Sequence, residues 1–260
     1  MKPNETEIMN NFDELISLIR THITGERQNQ LLALYDDLSE RIATAPASSI
    51  NTFHGCYAGG YVKHVLGVIY MSLGVYDMWM ANGAYMEDYT KEELVFAAIN
   101  HDLGKIGDMN HDYYIPNTSD WHVKNQGKVY VINPLIVNMS VPDRGIWLLQ
   151  NYGISLSQNE FLAIKLHDGP YVEENKPYFT AWGEEKKIRS NIVFVLHQGD
   201  FMAARIEYET ERQERRQSPI SHTRPKPVNK SIKSTLSAGQ ELQDANSLFA
   251  KMFDTPKTEK

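Results

Sequence analysis

Ala98-Ile99-Asn100-His101-Asp102-Leu103-Gly104-Lys105 ends an apolar helical run on a histidine beside an aspartate, with a glycine and a lysine just after. Such a pair is a poor way to build a core and a good way to hold a divalent ion beside a phosphate. The imidazole supplies a neutral nitrogen, and the carboxylate supplies a charged oxygen that can bridge two ions or orient a water. Upstream, His64 stands in Gly60-Tyr61-Val62-Lys63-His64-Val65-Leu66-Gly67. Downstream, Val193-Phe194-Val195-Leu196-His197-Gln198-Gly199-Asp200 carries His197 and Asp200 at a spacing of i, i+3, on one helix face. Three separate helical segments each bring a piece, so the expected fold is mainly α, with the ligands converging from at least three helices.

Composition bounds the rest. A chain of 260 residues that is 42% hydrophobic can bury one sizeable core. A net charge of −7 argues against coating nucleic acid through bulk charge. The single cysteine, Cys56, excludes an internal disulfide framework and suits a reducing compartment. No apolar run approaches the roughly 20 residues that span a bilayer, and the N-terminus lacks a signal-peptide core. The expectation is a soluble cytoplasmic protein.

Helical periodicity marks residues from about 5 to 21, 28 to 43 and 59 to 80. Thr90 with Glu93 predicts a capping box for the helix that ends near Asp102, where Gly104 is expected as a left-handed cap. Ser157 with Glu160 predicts a second capping box, for a helix at 157–167. Further helices are expected at 143–151 and 184–213. Aromatic and β-branched residues between 108 and 140 predict an insertion, with a β-hairpin over Val123–Ile132 broken at Asn125-Gln126-Gly127. The expected organisation is helices over 1–45, a metal-binding domain over 46–208, and a linker with a tail over 209–260. Within the tail, Leu242, Ala245, Leu248, Phe249, Met252 and Phe253 form an amphipathic patch that could pack on its own domain or dock on a protein partner.

The order His64…His101-Asp102…Asp200 resembles the HD superfamily of metal-dependent phosphohydrolases. A narrower likeness lies in Pro46-Ala47, Phe53-His54 and Gly59-Gly60 just ahead of His64. These resemble the branch that contains HD-domain 3′→5′ exoribonucleases and HD proteins linked to conjugative relaxases. The likeness covers about residues 28–208. His167-Asp168-Gly169 is similar to that branch's His-His-Gly, and His197-Gln198-Gly199-Asp200 to its His-x-x-Asp. Gly55 and Asp168 depart from it, each standing where the branch has a histidine. The resemblance implies an HD-domain helical bundle, here with an inserted β-hairpin.

On this reading His64, His101, Asp102 and Asp200 hold the metal, with His54, His167 and His197 as further candidate ligands. Asp102, Lys105 and His167 are the candidate catalytic groups. Mixed nitrogen and oxygen donors fit manganese, iron, cobalt, nickel or zinc better than calcium, and magnesium is also a candidate ion. The implied substrate is a nucleotide or short single-stranded nucleic acid, hydrolysed by a metal-activated water. Tyr113, Tyr114, Trp121 and Tyr130 could stack on a base or simply pack the insertion. Two other classes stay open: a non-hydrolytic nucleotide-binding module that signals through its tail, and a di-iron oxygenase. His22, His111, His122 and His222 read as surface or loop residues.

Overall fold

In a computed structural model, residues 2–85 and 88–217 are described, with side chains to residue 214. The patch at 242–253 and most of the expected linker therefore lie outside the described residues. The N-terminal helices are α1 (Glu5–His22), α2 (Gly25–Asp37) and α3 (Ser39–Thr44). Then come α4 (Gly60–Ala81), α5 (Lys91–Asn100), α6 (Asp120–Gln126), α7 (Val141–Asn151), α8 (Gln158–Leu166), α9 (Lys176–Thr180) and α10 (Ile192–Gln217). Two short strands, β1 (Tyr114–Pro116) and β2 (Tyr130–Ile132), pair antiparallel with Ile115 opposite Val131. The chain is mainly helical, as expected. No described helix is long and apolar enough to cross a membrane.

Helix α5 is the centre of the bundle. All seven residues from Leu94 to Asn100 are buried, because α1, α4, α8 and α10 pack around it. Each large apolar side chain so buried contributes about 1.5–3 kcal/mol relative to exposure. Helix α4 lies against α10 along much of its length and also touches α1, α3 and α5. One continuous core runs from Ile8 in α1 to Ala203 in α10, so the N-terminal helices share it rather than forming their own.

The two capping boxes form as expected, at Thr90/Glu93 and Ser157/Glu160. They also meet: the Ser157 hydroxyl donates to Glu93 Oε1 at 2.6 Å. Arg27, 4.4 Å over the Phe96 ring, donates to both Glu160 (2.6 Å) and Glu92 (2.9 Å). These contacts align the N-termini of α5 and α8, and so deliver both C-termini to one place.

Three local expectations need correction. The stretch from Val123 is not a strand: Asp120–Gln126 is helix α6, and the hairpin's strands lie outside it. The Ser119 side chain caps α6, and Gly127 at φ 64° ends it. Helix signals at close range win there over β-branched composition. Gly104 is not a left-handed cap. It sits in a 3₁₀ turn, Leu103–Ile106, where a side chain would meet the Val141 carbonyl; the positive φ falls on Gly107 instead. The last helix starts at Ile192, not 184, because Glu184–Lys186 forms a separate 3₁₀ turn and Asn191 is tied to the Tyr85 carbonyl at 2.6 Å.

Candidate metal centre

His101 and His167 occupy equivalent places at the ends of α5 and α8. Each is the residue after the last helical one, and each Nδ1 lies 2.8 Å from the carbonyl three residues back, on Ala98 and Ile164. A carbonyl only accepts, so Nδ1 carries the proton in both rings. These bonds satisfy carbonyls that a helix end otherwise leaves open. They also aim each Nε2 past the helix terminus, where the helix dipole favours a cation.

His64, on the buried face of α4, is oriented differently. Its Nδ1 lies 3.1 Å from the Glu207 carboxylate of α10, leaving Nε2 toward the other two histidines. Carboxylate-to-histidine contacts of this kind orient metal ligands. Glu207 was not a candidate in the sequence. Its signal was there, since it follows Asp200 by seven residues, two turns along the same face.

The three Nε2 atoms surround two carboxylates. Asp102 Oδ2 is 3.4 Å from His101 and 3.7 Å from His64, while Oδ1 is 3.6 Å from His167. Asp200 Oδ1 is 3.2 Å from His64 and 3.9 Å from His101. Asp168, half exposed, reaches 3.7 Å from His167. Asp102 thus presents one oxygen to each side of the cluster.

The residues fit a cation. His101 Nε2 is fully buried without a hydrogen-bond partner. With the proton on Nδ1, its lone pair faces the carboxylates of Asp102 and Asp200. Positive charge must offset that contact, and the donor set of imidazoles and carboxylates suits a divalent transition metal.

Electrostatics point the same way. Burial alone would raise the Asp102 pKa, but Lys105, donating to Oδ2 at 2.5 Å, holds it well below the usual range. Burial alone would lower His64, but Glu207 and Asp200 raise it to about 10. His167 follows the same pattern: Asp102, Asp168 and Asp200 overcome burial and raise it to about 9. A field that favours a proton on these rings favours a metal ion competing for the same lone pairs.

The remaining candidates lie at the edge. The His54 ring is 4.5 Å from that of His64, on the Glu207 side, and burial together with His64 pushes its pKa down to about 4. His197 joins none of the potential metal-binding groups among the described residues. Its Nδ1 bonds the His167 carbonyl at 2.8 Å, and its ring packs near Tyr171 and Phe179. Gly169, at φ 66°, is required there because any side chain would collide with the His197 ring.

Gly55 also has a structural role. A side chain at Gly55 would strike Ala47 Cβ at 2.7 Å, and its N–H donates to Glu211 at 2.8 Å. The Pro46–Gly60 motif is therefore a tight loop that seats the start of α4, and with it His64.

If Glu207 orients His64, Glu207→Gln should weaken metal binding about 10–100-fold while the helical fold persists. Metal titration alongside circular dichroism checks this. Comparison with protein-family models, curated proteins and solved structures finds no match for this chain, and the functional reading rests on the centre itself.

Proposed function

We propose that this chain is a divalent-metal-dependent phosphohydrolase of the HD superfamily, acting on a nucleotide or short oligonucleotide. The observation that carries the reading is the buried, unpartnered Nε2 of His101 facing two carboxylates. His64, His101, Asp102 and Asp200 would hold the ion, and the second oxygen of Asp102 faces His167 and Asp168. A divalent ion there would bring the pKa of a water toward neutrality and polarise a phosphoryl oxygen.

The chain's own groups do the rest. Lys105, paired with Asp102 and partly open to solvent, offsets negative charge on the phosphate. His167, with Nε2 3.6 Å from Asp102 Oδ1, is placed to hand a proton from Nε2 to a leaving oxygen. Glu207 and the helix-end carbonyls keep the imidazoles in one orientation, so little reorganisation is needed during reaction.

The test combines metal analysis with a panel of nucleoside mono-, di- and triphosphates, cyclic dinucleotides and short RNA, with manganese added. Turnover lost on chelation and restored by metal supports the reading. Tight nucleotide binding without turnover by metal-loaded protein would replace it with a binding module, and bound iron with oxygen uptake would replace it with an oxygenase. Within the first outcome, Lys105→Ala should lower kcat about 10²–10³-fold with metal content unchanged, as for loss of one charge-stabilising group.

A further inference from the structure

Two aromatic side chains beside the centre are left in solvent. Tyr171 is 74% exposed and Phe201 53% exposed, yet their rings lie parallel within 13° at a centroid distance of 6.3 Å. Tyr171 closes the 3₁₀ turn Gly169–Tyr171, directly after Asp168. Phe201 directly follows Asp200 on α10. The two segments that carry site carboxylates therefore also carry this pair. Tyr171 lies 6.1 Å from the His197 ring, which is itself bonded to the His167 carbonyl. Tyr171 is thus tied to the candidate centre through His197 and the backbone of His167.

The insertion offers no equivalent pair: Trp121 is 60% exposed on α6, but the ring it meets is its neighbour His122, edge-on rather than parallel. Tyr113 and Tyr130 are buried, and Tyr114 lies against both. These rings pack the hairpin onto the domain and present no free face. Tyr171 and Phe201, although stacked on each other, each leave more than half of the residue in solvent. Free aromatic faces beside a phosphate-binding centre match one ligand chemistry: a planar base joined to a phosphate through a sugar.

We propose that Tyr171 and Phe201 form a base-stacking platform that holds the substrate's nucleobase while its phosphate lies at the His–Asp centre. The proposal rests on the phosphohydrolase reading and assigns the base contact of its nucleotide to these two side chains. Stacking uses the π face that every base has, so the platform selects for a base without selecting which one.

Equilibrium titration of AMP and of ribose 5-phosphate, with manganese present, tests this on the full chain and on Tyr171→Ala, Phe201→Ala and Tyr171→Trp. Both positions are exposed, so the variants should fold. AMP should bind the unaltered chain at least about fivefold more tightly than ribose 5-phosphate. Either alanine should remove most of that preference and leave ribose 5-phosphate unaffected, and Tyr171→Trp should retain it. Equal affinities in the unaltered chain, no binding of either compound, or a preference untouched by both alanines would overturn the platform; the last would leave the aromatic pair to a protein contact. Turnover, measured separately, separates the two readings. Hydrolysis without base preference removes the platform alone, and base-dependent binding without hydrolysis removes the hydrolase alone.

Discussion

Asp102→Ala should abolish metal binding and hydrolysis together. The two oxygens of Asp102 face both sides of the cluster, within 3.7 Å of His64, His101 and His167. Loss of an outer partner alone typically lowers metal affinity about 10–100-fold, so loss of this carboxylate should exceed about 100-fold. The substitution also strips Lys105 of its partner, and removing one member of a buried pair is destabilising. Asp102→Asn, which keeps the volume and one oxygen, separates the two effects: it should fold and still lose activity. Full activity in Asp102→Ala with metal content unchanged would mean that the His–Asp pair is structural.

Metal affinity should rise steeply with pH, about tenfold per unit between pH 6 and 8, since one proton is displaced for each ion bound. The sign follows from His64. Its raised pKa, about 10, means that the ring is protonated throughout this window. A metal must displace the Nε2 proton, and each rise of one pH unit makes that displacement about tenfold easier. The proton on Nδ1 stays with Glu207. A slope near two would report that His167, raised to about 9, also gives up its proton, as binding of a second ion on its side of Asp102 requires. Isothermal titration in buffers of different ionisation enthalpy counts the protons released. A flat profile would show that no imidazolium proton is displaced when the ion binds.

Local chemistry was legible wherever a side chain acts on its own turn of helix. Thr90 with Glu93 and Ser157 with Glu160 cap helices within four residues, and both boxes stand where the spacing puts them. The His101-Asp102 pair and the i, i+3 spacing of His197 and Asp200 were equally readable. Readings failed where two local signals competed: β-branched residues near Val123 lost to the cap at Ser119 and the left-handed Gly127.

What the sequence by itself determined, then, is a mainly helical chain whose helices carry His64, His101-Asp102 and Asp200 near their ends or along buried faces. Which rings share the cluster was decided only by the packing of α4, α5, α8 and α10. His197 and Asp200 share a helix face, yet His197 is turned to the His167 carbonyl and an aromatic neighbourhood, while Glu207 joins His64 from two turns beyond Asp200. Glycine roles split the same way. Gly104 and Gly55 are required by the neighbours they meet, Val141 and Ala47, across 37 and 8 residues of sequence. Helical periodicity states which face is apolar. It does not state which neighbour's atoms will lie within about 3–4 Å of a given ring nitrogen, because hydrogen bonds and ligand bonds depend on those distances and directions rather than on pattern.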